Sequence, residues 1–395
     1  MGRCIDTPAG DWPQFLGPER NGQAIEEGWD LSSPKKAWEL KVGSGFSGPV
    51  IVEKNLYIYH RINNQSTLDC LELESGEQVW RYQHITDYRD DFGFDNGPRA
   101  TPCVSDGSIF LMSAKGILTS VNADTGKPVW QVRAKERWKA PKGFFGMASS
   151  PLVHNDMVIY IIGGKPNAGI VALNRFTGQT RWTATGDASG YASPIIEKRG
   201  DRNILWAWTR EKIYGLDAHS GDLLASLLWR PSMDASVNAA TPLLLPEGIF
   251  ISASYGTGAL LMDRQDGTPG EIWSGDEQMS NHYATCVYHR GYLYGYHGRQ
   301  EFDPELRCIE ASSGRVMWSK KDLGAGSLIL AGDVLLLMQE SGELVLARAR
   351  SDRFETLGRR QILPSGVRAF PALSRGYFVS RSPELLVAFL LRKKS

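Results

Sequence analysis

One phrase recurs along the chain and limits what it can fold into: a small residue, alternating residues, a Thr/Ser-Gly turn, then a tryptophan. It reads CLELESGEQVW at 70–80, SVNADTGKPVW at 120–130, ALNRFTGQTRW at 172–182 and CIEASSGRVMW at 308–318, with looser copies GLDAHSGDLLA at 215–225 and LMDRQDGTPGEIW at 261–273. The turn glycines Gly76, Gly126, Gly178, Gly221, Gly267 and Gly314 fall on average about 48 residues apart. A second phrase precedes the first: a small residue and a proline, then a short run and a polar turn, as in GPVIVEKN, TPCVSDGS, SPLVHNDM, SPIIEKRGDRN and TPLLLPEG. In TCVYHRG, Cys286 takes the proline's place. The proline stands 24 to 27 residues before its turn glycine, so the repeat is a fixed supersecondary unit.

Each unit holds four short β-type runs. In the second they are PCVS, SIFLMSA, ILTSVNA and PVWQVR, broken by DG, KG and TG. Four strands per unit at this period predict a β-propeller blade, and the 3.6-residue apolar period of a helical solenoid is not found. First-hairpin turns near Lys54, Asp106, Asn155, Gly200, Glu247, Arg290, Gly332 and Arg375 number eight. Eight aromatic positions are expected on the outer strands: Trp38, Trp80, Trp130, Trp182, Trp229, Trp273, Trp318 and Phe354. Trp38 precedes the first unit and the last unit ends after its third run. The run 35–42 is therefore expected to supply the last blade's fourth strand and close the ring. The fold expected is all-β: an eight-bladed propeller of four-stranded antiparallel blades over 35–395, with 1–34 as an N-terminal clasp in which Trp12 and Phe15 dock on the ring.

The repeated residues have structural work to do. The indole is a wedge between neighbouring sheets, the small residue ten positions earlier makes room for it, and Asn122, Asn174 and Asp217 bond the turn backbone. Cys70 and Cys308 are read as buried small residues. Cys4, Cys70, Cys103, Cys286 and Cys308 form no CxxC, CC or CxxCH pattern, which gives no support to zinc ribbons, redox pairs or c-type haem. The 44 basic and 44 acidic residues leave no net charge to attract nucleic acid or anionic lipid. No apolar run is long enough to cross a bilayer as a helix. The first residues lack an apolar leader core, and Cys4 lacks the stretch that would make it a lipid acceptor. A cytoplasmic monomer is expected from the chain as it stands, or a periplasmic or envelope protein if a leader precedes it.

The phrase small-x-Asp/Asn-x-x-Thr-Gly-Lys/Gln-x-x-Trp resembles the tryptophan-docking repeat of the PQQ-like β-propellers, the superfamily of quinoprotein alcohol dehydrogenases and BamB-type outer-membrane assembly lipoproteins. The likeness covers roughly 35–395. The opening DWPQFLGPERNG also looks like the lead-in of bacterial PQQ-binding-like repeat proteins. The dehydrogenase branch implies a PQQ cofactor with Ca²⁺. This chain has neither the adjacent cysteine pair that many of those enzymes stack on the quinone nor residues matching their calcium ligands and catalytic Asp. No cofactor and no metal is expected.

Loops that enter the innermost strands surround one mouth of a propeller channel. Two stand out by length: Trp80 to Pro102 and Trp130 to Pro151 span 22 and 21 residues against 11 to 13 for three others. The first carries Tyr88, Asp90, Asp91, Phe92, Phe94 and Asp95. The second carries Trp138, Lys142, Phe144 and Phe145 among five cations. They either pair with each other as a partly solvated lid or form a groove with aromatic platforms for a sugar, peptide or protein segment. Residues just before the inner strands are expected to ring the channel: Phe46, Arg99, Tyr191, Asn238, Tyr283 and Arg368, with His282 beside them. The candidate ligand-binding set is Tyr88, Asp91, Phe92, Arg99, Trp138, Lys142, Phe144, Phe145, Tyr191, Asn238, His282 and Tyr283. Asp90, Asp91, Asp95 and Asn96 do not match an EF-hand loop and are read as a solvated turn. The first functional reading is a non-catalytic binding or scaffolding propeller that offers its mouth to a protein, carbohydrate or small-molecule ligand. The rival is a PQQ-dependent oxidoreductase or a carbohydrate-active enzyme using Asp91, His282 or Tyr283 for proton transfer.

Overall fold

The computed structural model describes residues 10–25, 29–234 and 236–393. Cys4 and the last two residues, 394 and 395, lie outside these residues. Eight four-stranded antiparallel sheets follow one another as blades: 1 (50–85), 2 (103–133), 3 (152–184), 4 (195–228), 5 (243–275), 6 (287–320), 7 (326–361) and 8 (372–393 with 29–41). In blades 1 to 7 the strands run in chain order from the channel outward. In blade 8 the outermost strand is Trp29–Lys41, with Lys35 opposite Leu390 and Lys41 opposite Leu385. Closure by the N-terminal strand is as the sequence predicts, but the strand begins at Trp29 rather than at residue 35.

The repeated phrase builds the joints between blades. The indoles of Trp38, Trp80, Trp130, Trp273 and Trp318 donate Nε1–H to the carbonyls of Leu73, Ala123, Arg175, Ala311 and Arg350 in the next blade, at 2.8–2.9 Å. Four of these indoles, and that of Trp182, also lie against a turn glycine of the next blade. A Cβ on Gly76, Gly126, Gly178, Gly221 or Gly314 would stand 2.6–2.8 Å from the ring of Trp38, Trp80, Trp130, Trp182 or Trp273. These glycines also have φ between 69° and 78°, so both backbone and space demand glycine there. On its own blade the tryptophan faces the small residue across the strands: Cys70 opposite Trp80, Ser120 opposite Trp130, Ala172 opposite Trp182, Cys308 opposite Trp318. Asn122, Asn174 and Asp217 accept the turn N–H of Thr125, Thr177 and Ser220 at 2.9–3.0 Å.

Two of the eight expected wedges are not wedges. In blade 4 the residue opposite Gly215 is Ala225, and Trp206 fills the space beneath Gly215 from the neighbouring strand. There the joint is backbone: Ser226 N–H donates to Gly267 O and Gly267 N–H to Leu224 O, at 2.9 and 2.7 Å. Trp229 lies past the strand end, where its carbonyl accepts the Trp208 indole. In blade 7 the wedge slot, opposite Leu346, holds Gly358, and Phe354 packs edge-on against Trp318 with centroids 5.7 Å apart.

The small-residue–proline phrase forms a second, inner belt. The N–H of Gly48, Thr101, Ser150, Ser193 and Thr241 donates to the hydroxyl of Thr101, Ser150, Ser193, Thr241 and Thr285 respectively, at 2.9–3.3 Å. The inner strands of blades 1 to 6 are thus tied each to the next, which explains why hydroxyl residues recur before the proline.

The opening segment does more than dock on the ring; it enters it. Trp12 pairs with Ile51, Val104 N–H donates to Pro13 O, and Gln23–Ala24 adds a parallel strand to the inner edge of blade 7. The buried Arg20 guanidinium holds Ser150 O, Pro151 O and Gln14 Oε1 at 2.8–3.0 Å. Asp11 meets Arg375 and the N–H of Glu53 beside the first-hairpin turns, whereas Phe15 stacks edge-on with Phe370 at the start of an inner strand. The segment therefore climbs the channel from the turn end and folds back, plugging it below the mouth.

Candidate functional site

Above the plug the channel widens into a cup of about 360 Å³, within the range of ligand pockets, about 300–1,000 Å³. Phe15 and Phe370 lie at its base with Ser150 and Ser193 of the hydroxyl belt. Phe92, Phe94 and Phe145 of the two long loops form one wall. Tyr191, Tyr255, Tyr283 and His282 line the rest, and Arg99, Arg299 and Arg368 face in.

The long loops do pair, by two means. Outside, Lys142 joins Asp91 at 2.6 Å and Arg89 O at 3.2 Å. Inside, Phe92 packs on Phe145 with centroids 5.0 Å apart, and Phe145 on Tyr191 at 6.0 Å. Asp90 fixes the first loop: its carboxylate accepts N–H from Phe92, Phe94 and Asp95 at 3.0–3.2 Å and pairs with Arg99 at 2.9 Å. Phe92 and Phe94 are thereby held at the rim about half exposed.

Of the twelve candidates, Phe92, Arg99, Phe145, Tyr191, His282 and Tyr283 line the cup. The other six do not. Asp91 and Lys142 are spent on each other outside it. Phe144 packs on the outer side of Phe92. Tyr88 is buried beneath the loops under Arg99 and Lys142. Asn238 is fully buried and donates to the carbonyls of Thr209 and Arg210 at 2.9 and 3.2 Å. Trp138 ends a short helix, Ala134–Trp138, and is buried among apolar residues of blades 2 and 3; it is core, not platform. Phe46 and Arg368 are in the lining as expected.

Sequence reasoning missed Tyr255 and Arg299–Glu301. Both lie on connections between a blade's second and third strands, which also open at the mouth. The signal was length: in blade 6 this connection runs 298–304 and contains the turn Gln300–Phe302, longer than its counterparts in the other blades.

These residues form two charged walls. Gln300 donates to Glu301 at 3.1 Å, so its amide oxygen faces His282 and accepts the Nδ1 proton. His282 Nε2 then accepts the Tyr255 hydroxyl at 2.8 Å. Burial lowers the His282 pKa below the ordinary histidine range and raises that of Tyr255, so the pair is neutral near pH 7. Beside this pair, where the Tyr283 ring packs edge-on against His282 with centroids 5.9 Å apart, Glu340 Oε1 accepts Tyr283 O–H at 2.6 Å and faces Arg368 Nε at 3.2 Å. Burial, then the Glu340 charge, pushes the Tyr283 phenol well up. Asp91 stands outside the cup, apart from His282 and Tyr283, so the three candidates for proton transfer are not assembled.

The calcium-and-quinone pairing fits poorly here. Asp90 is committed to Arg99 and three N–H groups, Asp95 to the N–H of Gly45 and Gly97, and Asn96 to that of Asp90. Glu301 and Glu340 face Arg299 and Arg368. Among the described residues no three carboxylate, histidine or cysteine groups are placed to hold a metal ion. The described cysteines are separate, buried and free.

The family model described as "Outer membrane protein assembly factor BamB" matches residues 64–320. The protein of that name from Yersinia pestis is 22% identical over 291 residues, 69% of this chain and 68% of that one. The one from Xanthomonas campestris pv. campestris is 24% identical over 260 residues, 63% and 61%. The matched stretch thus spans about three fifths to two thirds of these relatives. Among solved structures, BamB from Moraxella catarrhalis superposes with a TM-score of 0.64 at 13% identity, covering 91% of this chain and 98% of that one. Quinohemoprotein alcohol dehydrogenase from Comamonas testosteroni gives 0.56 at 15% identity, covering 96% and 80%. At these identities the two structures share the fold alone. The family model, by contrast, runs through most of the tryptophan-docked blades, and the chain belongs to the PQQ-like-repeat propeller family of the outer membrane protein assembly factor BamB.

Proposed function

We propose that the chain is a non-catalytic binding propeller that presents its mouth to a protein partner. One observation carries this reading: the channel is plugged by the chain's own residues 10–24, leaving an aromatic and arginine-lined cup that opens at the mouth. Such a cup cannot thread a chain; it receives whatever is offered at the rim. The rim itself is pre-organised, because Asp90 and the paired loops fix Phe92 and Phe94 before any partner arrives. Half-exposed aromatics around a rigid depression are what the anchor sites of protein interfaces are made of. The assembly role in the name of the BamB relatives agrees with a scaffold that works by binding.

The test is site-specific photo-cross-linking in cells, with the reactive side chain at Phe92 on the rim or at Asn155 on a turn at the channel's opposite end. A discrete adduct, identified by mass spectrometry, is expected from position 92 and not from 155. An adduct from 155 alone would move the binding face away from the mouth. Purified protein with PQQ and Ca²⁺ should show no thermal shift and no dye reduction with alcohols or sugars; turnover there would replace the scaffold reading with the quinoprotein one. A hit on a glycan array would recast the ligand as a sugar.

A further inference from the structure

The arginines around the mouth are not equivalent. Arg61 spends its guanidinium on the carbonyls of Asn63, Tyr88 and Asn96 and on Asn64 Oδ1. Arg99 is held by Asp90 and the carbonyls of Gly97 and Asp95. Arg299 and Arg368 differ. Each faces a carboxylate with its Nε, Glu301 at 3.3 Å and Glu340 at 3.2 Å, and neither donates a hydrogen bond from its terminal nitrogens to any protein acceptor among the described residues. Their forks are steadied by rings instead: Arg299 over Tyr255 at 4.6 Å, Arg368 over Phe46 and Phe94 at 5.8 and 5.5 Å. Both side chains are about 28% exposed, and both line the cup.

A partly buried guanidinium whose terminal N–H groups lack partners suits an acceptor that can take two parallel hydrogen bonds, and a carboxylate is the acceptor its planar fork matches. Beside these forks the lining is largely aromatic, and each of its three arginines already faces one carboxylate, Asp90, Glu301 or Glu340. The open terminal N–H groups and the apolar surface therefore ask for one ligand that brings a two-oxygen acceptor at one point and is apolar over the rest. The closed base adds a condition of shape. An occupant must end inside the cup, because a segment passing through meets the plug at Phe15.

We propose that the cup captures a carboxylate carried on an apolar or aromatic body, gripped by Arg299 and Arg368 while the body packs on Phe92, Phe94 and Phe145. This rests on the reading of the mouth as a binding face and names its ligand chemistry. A protein partner supplies that chemistry as a chain end with an apolar last residue; a free aromatic acid supplies it as a small molecule.

Titration calorimetry on the full chain tests it with three probes: a pentapeptide ending in phenylalanine with a free carboxylate, the same peptide as its C-terminal amide, and 3-phenylpropionate. The free-acid peptide should bind at least about tenfold more tightly than the amide, the loss expected when charge-assisted hydrogen bonds are removed. R299Q and R368Q should each bring the acid about down to the amide, and R368K should restore only part of the loss because it keeps the charge without the fork. R350Q, on an arginine outside the cup, should change nothing. The acid–amide comparison uses the unaltered protein, so it stands even if a variant misfolds. Tighter binding of the peptide assigns the site to a chain end, and equal or tighter binding of 3-phenylpropionate assigns it to a free acid. Equal affinity for acid and amide, or no binding of either acid, overturns the proposal. A rim adduct that persists in that case leaves the binding face in place and removes only the carboxylate.

Discussion

His84 sits half-buried on the outer strand of blade 1, against Tyr82, with neither ring nitrogen hydrogen-bonded within the described residues. Burial, helped by the charge of Arg133, lowers its pKa from 6.5 to about 4. Burial also leads the downward shifts of His60, His154, His282, His289 and His297. The sign follows from linkage. The folded state holds these rings neutral and the unfolded chain does not, so their contribution to stability is full above the ordinary histidine range and is lost as pH falls through it toward the folded values. Urea midpoints should therefore drop between about pH 6.5 and pH 4, before most carboxylates protonate, with at most about 3 kcal/mol of the loss from His84. H84F should leave stability at pH 7 little changed and flatten that part of the curve. A profile with the same slope in H84F would show that the ring is not held neutral. None of this was legible in the sequence, because a histidine in a β run gives no sign of whether its ring nitrogens find partners.

The blade is the element, and its joints show where sequence reading succeeds and where register defeats it. The phrase was legible because one geometry, indole on glycine opposite a small residue, is built repeatedly around the ring and forces the same residues each time. Counting aromatics near the expected spacing then took Trp229 and Phe354 for wedges. A slot is set by the cross-strand register and its bulge, and that register puts Ala225 and Gly358 there. The candidate site follows the same logic. Residues placed by the proline phrase, such as Arg99, Tyr191 and Tyr283, reached the cup, whereas Trp138 was judged by loop composition and belongs to a core. Two variants separate a true joint from a false one. W130A removes an inter-blade hydrogen bond and the cover over Gly178, and should cost about 3–5 kcal/mol. W229A keeps the carbonyl that Trp208 uses and should cost clearly less. G178A should fall near W130A, since its Cβ would stand 2.8 Å from the Trp130 ring at φ 69°. Equal losses for W130A and W229A in chemical denaturation would mean that joints do not dominate the stability of the ring.

At the scale of the whole molecule, the first described residues do two separable jobs. Residues 10–24 fill the channel, and 29–41 complete blade 8. Removing the first leaves every blade with four strands, but it uncovers the inner-strand amides of Ile51, Val104 and Leu330, which now donate to Trp12, Pro13 and Gly22. Removing both leaves blade 8 with an unpaired edge and strips Trp38 from its place over Gly76 and on Leu73 O. An open sheet edge is a template for pairing with another chain. A truncation beginning at residue 26 should therefore fold as a ring with a lower melting temperature, and amide exchange should quicken at those three positions while outer-strand amides keep their protection. A truncation beginning at residue 43 should lose the cooperative transition or aggregate. The cup reads the same difference: without Phe15 its base is open to the far end, and any ligand held against a closed base should bind more weakly to the first truncation than to the full chain. If the shorter deletion abolished folding as completely as the longer one, the plug would be part of what closes the ring and not a lining laid inside a ring already closed.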